Sequence, residues 1–368
     1  MIYKLINDFL NNIDTDNITI EKNRDDKPRY EIPASILYAK CKLNIINNDI
    51  HTIKDILINS VNSEFMWDEY AYGFEDENIG FSGLVTTSYV LLALIEYYKK
   101  FSDSEVFEIL IKSADNIYFL ENNGYIKKAK ENKSDVLNTN LLGAIAIKEI
   151  LEILPHNSNR KRLYEELVRR VIRKVLSYQS PKGEFPYHFE SKAVPILYQA
   201  MVNSEIRYLL KYYDDEIVHK SILKGNNALK KYFNKNGYIL WDKANNHDKK
   251  GAMWVYSFSL ACLDDNDLIK NIINNLSKEH NNGVFFRSDY EKIEDRFYSA
   301  WMIFGFIWSL DKKGLKTKFS FNTYIKYTLL KMEYFITYAK FIIKYIKNKF
   351  YNYPFNSGAL ENRYWCKK

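Results

Sequence analysis

Apolar positions along the chain fall into two alternating kinds of segment. One kind is apolar around most of its circumference: 33–49, 82–99, 135–153, 192–213, 250–263 and 295–310. The other mixes charged and apolar residues at three- and four-residue spacing, over 51–63, 103–120, 160–179, 214–233, 266–279 and 322–350. That spacing predicts a helix with one buried stripe, whereas a helix apolar all round is buried on every side. Six buried helices, each followed by a half-exposed one, predict six helical hairpins.

The hairpins are punctuated by four similar turns: Asn123-Gly124-Tyr125-Ile126, Lys182-Gly183-Glu184-Phe185, Asn236-Gly237-Tyr238-Ile239 and Asn282-Gly283-Val284-Phe285. Each is a polar-Gly turn running into a short extended piece. The expected fold is therefore all-α, an (α/α)6 toroid with short β-like turns at one end and a long basic C-terminal helix. An open solenoid of paired helices is the alternative; the uniformly apolar helices favour a closed ring. Residues 1–310 read as one toroid body without a linker. Residues 311–368 read as the last outer helix and a basic, aromatic tail packed on the same domain.

Composition narrows the classes. The 368 residues are 46% hydrophobic and 27% charged, with only 13 Gly and 7 Pro, which suits a globular helical chain. Three scattered cysteines, Cys41, Cys262 and Cys366, make neither a disulfide framework nor a CxxC zinc site, so a reducing compartment is expected. The start of the chain lacks the pattern of an export signal. The apolar run Tyr298 to Leu310 is shorter than the roughly 20 residues a bilayer span needs. A cytoplasmic protein, possible at a membrane only as a peripheral one, is the expectation.

Charge is segregated. The formal net charge is +7, and residues 311–352 alone carry ten Lys against Asp311 and Glu333. Residues 1–310 are mildly acidic by difference. No nucleic-acid-binding signature accompanies the basic tail, so nucleic acid is not an expected partner. The lysines and aromatics of 322–350 fit an outer helix, and they also fit contact with an anionic membrane surface.

The turn Gln179-Ser180-Pro181-Lys182-Gly183-Glu184-Phe185 resembles the Gln-x-x-x-Gly-x-Trp motif of the terpenoid-cyclase branch of the α/α-toroid superfamily, with Phe in place of Trp. That superfamily also holds prenyltransferase subunits, six-hairpin glycosidases, polysaccharide lyases and epimerases. In the terpenoid-cyclase branch the Gln and the aromatic staple helices together and do no chemistry. The acidic run of a protonating cyclase and the ligand set of a zinc prenyltransferase are absent, so neither metal nor cofactor is expected. Asp264-Asp265-Asn266-Asp267 is read as capping the helix that follows. Asp135 to Leu142, Phe185 to His188 and Pro195 to Met201 resemble toroid proteins encoded with exopolysaccharide and capsule machinery. That resemblance implies a carbohydrate-polymer role.

The loops entering the inner helices are rich in residues that handle sugars. Asp68, Asp76, Asp242 and Asp295 are candidate acids and bases for glycosidic chemistry, since paired carboxyl groups carry it. Trp67, Tyr72, His188, Trp241, Arg287 and Arg296 are candidate binding residues. Aromatic faces suit the C–H side of a pyranose, and Arg can clamp an acidic group. The same residues also have structural readings: Trp67, Trp241, Trp254 and Trp301 as core fillers, Asp295 and Arg296 as a surface ion pair. Walker, Rossmann, nucleophile-elbow and HExxH motifs are absent. The favoured reading is a carbohydrate-active or carbohydrate-binding toroid of surface-polysaccharide biosynthesis, its partner an oligosaccharide or lipid-linked saccharide. If catalytic, it would be a hydrolase, lyase or epimerase. An isoprenoid-binding toroid and a non-catalytic scaffold are the alternatives.

Overall fold

The computed structural model describes residues 1–12, 29–69, 81–129, 136–191, 193–241, 252–281, 283–286, 294 and 296–311. Among these, six nearly all-buried helices are α2 (Glu31–Lys42), α4 (Leu84–Phe101), α6 (Leu137–Ile153), α8 (Ile196–Leu209), α10 (Trp254–Cys262) and α12 (Arg296–Asp311). Every residue of α10 is buried, as its unbroken apolar run predicts. The helices with one buried stripe are α1 (Ile2–Asn12), α3 (Asp49–Asn59), α5 (Ser104–Phe119), α7 (Asn159–Leu176), α9 (Glu216–Lys230) and α11 (Asn266–Leu276). No helix among the described residues is long and apolar enough to cross a membrane.

The buried helices form a closed inner ring. Each packs on its neighbours in the order α2, α4, α6, α8, α10, α12, and α12 returns onto α2. The striped helices stand outside: α3 on α2, α5 between α4 and α6, α7 on α6, α9 on α8, α11 on α10 and α1 on α12. The expected last outer helix over 322–350 lies outside the described residues. The outer place beside α12 is held by α1, which presents Ile2, Leu5, Ile6, Phe9 and Leu10 to the core. The first helix thus packs with the last, and the double ring closes on itself.

Five outer-to-inner connections, those entering α4, α6, α8, α10 and α12, begin with a turn built on one plan. Gly124, Gly183, Gly237 and Gly283 have φ of +86°, +92°, +82° and +87°, the left-handed region open to glycine. Each turn seats on the next outer helix: a Cβ on Gly183 would lie 2.1 Å from the Lys224 carbonyl oxygen of α9, and one on Gly283 2.2 Å from the Asp8–Phe9 backbone of α1. A fifth turn, unseen in sequence because it has no glycine, places Phe65 at φ +51° and accepts a bond from Ser113 of α5 at 2.5 Å. Short antiparallel pairs flank two of the turns, β3 (Glu121–Asn122) with β4 (Tyr125–Ile126) and β5 (His280–Asn281) with β6 (Val284–Phe285), and a third pair, β1 (Asp68–Glu69) with β2 (Phe81–Ser82), lies between the Phe65 turn and α4.

A polar side chain in the first turn of the following inner helix fastens each of the five turns. The residue two places past the positive-φ position donates its backbone N–H to that side chain. The pairs are Trp67 to Thr87 Oγ1 (3.0 Å), Ile126 to Asn140 Oδ1 (2.5 Å), Phe185 to Gln199 Oε1 (2.8 Å), Ile239 to Tyr256 Oη (3.1 Å) and Phe285 to Ser299 Oγ (2.9 Å). These bonds answer for one polar residue at the start of each of α4, α6, α8, α10 and α12, because a buried N–H needs an acceptor. Gln179 also acts as a staple: its amide donates to Gly183 O and, across to α9, to Ser221 O at 2.9 Å.

At the opposite end the inner helices hand over to outer ones by short links. Asp103, Asp215 and Asp265 cap α5, α9 and α11, so the capping expected of the 264–267 run falls to Asp265. A buried network closes this end. Glu149 of α6 accepts from Lys99 at 2.8 Å and from Lys211, Tyr208 and Tyr212 at 2.5 Å each. Lys99 also meets Glu96 at 2.7 Å, and Lys42 bridges Glu96 and Asp311.

Candidate functional site

The end carrying the turns is where the inner helices begin, and their inward faces define a lumen. On α8 that face is the stripe Tyr198, Met201, Glu205, Tyr208, one residue every three or four. On α12 it is Phe297, Trp301, Phe304, Trp308. Four rings from four helices form a belt near the mouth: Tyr198 to Trp254 (6.2 Å between centroids), Trp254 to Trp301 (5.6 Å) and Trp301 to Tyr89 (6.1 Å). Tyr198, Phe297 and Trp301 are partly exposed, which opens the belt to solvent. Below it the lumen is filled. Phe304 stacks on Tyr38 at 4.8 Å, and Trp308 packs on Tyr208 at 4.9 Å and Phe258 at 5.8 Å.

Two carboxyl groups sit within this apolar lining. Glu31, in the first turn of α2, accepts from Thr86 Oγ1 at 2.6 Å. Burial raises its pKa above the ordinary value, although the Thr86 bond and the Arg29 charge pull the other way. The Arg29 guanidinium lies 4.7 Å from the Phe297 ring at the rim. Glu205, in the middle of α8, is wholly buried and neither carboxyl oxygen has a hydrogen-bond partner among the described residues. Burial pushes its pKa well above the carboxylate range, with no opposite charge offsetting it. Both carboxyls lie close enough to the buried Tyr89 phenol to reinforce what burial does there, raising its pKa.

Other polar atoms on the same inward faces also lack partners among the described residues: Tyr89 Oη on α4, Asn138 Oδ1 on α6 and Trp301 Nε1 on α12. Asn138 turns its amide toward Met201 Sδ at 3.8 Å, one turn from Glu205. Buried polar groups in folded proteins are nearly always paired, so these orphans are exceptions set into an otherwise apolar lining.

No protein-family model matches the chain, and no curated protein matches its sequence. Solved structures do match. A UGL variant with dGlcA-Glc-Rha-Glc aligns at a TM-score of 0.62 and 9% identity, over 83% of this chain and 96% of the other. An unsaturated glucuronyl hydrolase from Bacillus sp. GL1, described as responsible for degradation of glycosaminoglycan, aligns at 0.60 and 10%, over 86% and 97%. A protein described as a novel α-amylase from Clostridium perfringens aligns at 0.60 and 14%, over 84% and 96%. The fold is the α/α toroid.

Within the toroid the residues singled out by sequence separate. Trp67 is wholly buried and its indole N–H donates to Leu57 O at 2.8 Å, so it fills the core beneath the first turn. Trp241 is buried as well. Asp68 stands half-buried on β1, accepting from Asn62 at 2.7 Å. His188 forms a β-bridge with Val136 at the entry to α6, and its neighbour Tyr187 packs on Tyr198 of the belt at 4.3 Å. Arg296 is exposed at the first residue of α12, one turn from Trp301. Tyr72, Asp76, Asp242, Arg287 and Asp295 lie outside the described residues. Sequence reasoning looked for acids in loops and passed over Glu31, Glu205, Tyr89 and Asn138, which lie inside apolar helices. Their signal was a polar side chain on the helix face opposite the one that fastens the turns.

Proposed function

We propose that this toroid binds carbohydrate at the turn-bearing mouth of its inner ring, and that its chemistry, where it has any, is acid–base chemistry by carboxyl groups. The observation that carries this reading is the belt of Tyr198, Trp254, Trp301 and Tyr89 with unpartnered polar atoms set among the rings. Aromatic faces with a few convergent polar groups suit a pyranose, which is apolar on its C–H faces and polar at its edge. Similarity of fold to saccharide-degrading enzymes supports the reading by analogy only. The filled lower lumen favours a short saccharide end over a long isoprenoid chain. Asp76, Asp242 and Asp295, with Tyr72 and Arg287, belong to the segments entering α4, α10 and α12, and are proposed to complete the rim with Asp68, His188 and Arg296. A role in surface-polysaccharide assembly, with a lipid-linked saccharide as partner and the lysines of 322–350 meeting anionic lipid, extends the proposal; sedimentation with anionic liposomes tests that extension.

Thermal unfolding with neutral oligosaccharides, uronic-acid oligosaccharides and prenyl phosphates in parallel tests the function. A ligand at 100 times its Kd stabilises by about 2.7 kcal/mol, a shift readily seen. The expected result is a saccharide shift that is lost in Trp301→Ala. A shift with prenyl phosphates alone, or with none of the three, overturns the reading.

A further inference from the structure

On a body that is mildly acidic, α7 carries seven basic residues against two acidic ones. Toward its start the cations are paired: Arg160 meets Asp115 and Arg169 meets Glu165, both at 2.9 Å. At its turn-bearing end Arg170 has the Glu121 carboxylate at 3.3 Å, while Arg173 and Lys174 have no carboxylate partner among the described residues. Three half-buried rings stand here. Phe189 packs on Tyr178 at 4.7 Å and on Tyr125 at 5.9 Å, and the Lys174 ammonium lies 5.7 Å from the Tyr178 centroid and 5.8 Å from that of Phe189. The Gly124 turn brings Tyr125 to this place, since a Cβ on Gly124 would lie 3.6 Å from Lys174 Cβ. Phe189 sits in a pinned turn: Ser191 N–H donates to His188 O at 3.0 Å and Tyr187 N–H to Ala193 O at 2.8 Å. The rings also continue the belt over the rim. Tyr187, which packs on Tyr198 at 4.3 Å, precedes Phe189 by two residues, about 7 Å of chain at most.

Rings with cations beside them suit a pyranose that bears an acidic group, its C–H face on an aromatic ring and its anion on Lys and Arg. Over 121–127, 170–174 and 178–190, five basic residues stand against Glu121, Glu184 and Glu190, so the local charge favours an anion. We propose that the rim beside α7 is a second saccharide subsite, in which Tyr125, Tyr178, Phe189 and Lys174, flanked by Arg173, hold an acidic residue of a chain whose end lies at the belt. The inference rests on the carbohydrate reading above and narrows its ligand to an anionic polysaccharide. Two sites on one ring, joined by the ligand chain itself, make the second contact effectively intramolecular, so affinity rises with chain length. A flat anionic bilayer would also attract these cations; continuity of the rings with the belt favours a chain that starts at the mouth.

Calorimetric titration of the full chain with short and long uronate oligosaccharides, about two and about eight residues, beside neutral ones of the same lengths, tests the proposal. Lengthening the uronate chain is expected to tighten binding by about tenfold or more, and lengthening the neutral chain by about threefold or less. Raising salt from about 0.05 to about 0.2 M should remove most of the uronate gain, because the cations are solvent-facing. The double variant Arg173→Gln/Lys174→Gln is expected to lose the gain while keeping short-chain affinity within about threefold. Melting curves guard against misfolding, and these two helix-surface changes are expected to leave the melting temperature unchanged. Long uronates binding no tighter than short ones, or a gain that survives in the folded double variant, overturns this inference and leaves the carbohydrate reading standing. Binding of phosphatidylserine vesicles that the double variant loses, with no chain-length gain, assigns the cations to a membrane and also overturns it. Binding of no saccharide of either length by the parent overturns the carbohydrate reading itself, and this inference with it.

Discussion

Glu205 and Glu149 are both almost wholly buried, yet their surroundings drive them in opposite directions. Burial alone acts on Glu205 and raises its pKa. Burial also opposes ionisation of Glu149, but the Lys211 and Lys99 ammonium groups outweigh it and hold that carboxyl well below the ordinary 4.5. The consequences for stability follow by linkage. A lowered folded pKa gives Glu149 stability that is present above the unfolded value near 4.5 and is lost as pH falls toward the folded one. A raised folded pKa gives Glu205 the reverse dependence: full stability below the unfolded value, declining as pH rises through the folded one. Glu149→Gln leaves two lysines facing a neutral amide in a closed network, and is expected to cost about 3–5 kcal/mol at pH 7. Chemical denaturation across pH 3–8 checks this. The deficit should begin to shrink as pH falls below about 4.5 and be smaller at pH 3 than at pH 7; an undiminished deficit there would contradict the assignment.

At the scale of elements, the five fastened turns explain how a chain with few strands holds a double ring in register. Each joins an outer helix, the next outer helix and the next inner helix through one positive-φ residue and one side-chain acceptor. Ser299→Ala should leave the buried Phe285 N–H without that acceptor and cost about 1–3 kcal/mol in denaturant titration. An unchanged midpoint would show that the bond is dispensable. Four of these turns were legible in sequence because they carry glycine; the one at Phe65 was hidden because a non-glycine residue takes the left-handed position. The side-chain acceptors were hidden for a different reason. Asn140, Gln199 and Ser299 look like any polar interruption of an apolar helix, as Glu205 does. Only helix phase separates those that hold a turn from those that face the lumen.

The alternation of buried and striped helices made the toroid legible at the scale of the whole molecule, since burial on two sides and on one side leave different patterns. The closed ring was likewise expected from the uniformly apolar helices, but the helix that stands outside α12 was not. The first-turn-to-last periodicity of Ile2, Leu5, Ile6, Phe9 and Leu10 announces a helix, but nothing local says that its partner, α12, begins nearly 300 residues later. Closure also gives the lumen two unlike ends: one bound shut by Glu149 and its lysines, the other open at Tyr198 and Trp301. Carbohydrate binding at the open end is the central claim, and a crystal structure of the protein with an oligosaccharide tests it most directly. The account predicts a pyranose ring against the partly exposed Tyr198 and Trp301 of the belt. A saccharide found elsewhere on the surface, over a lumen holding only water, would contradict it.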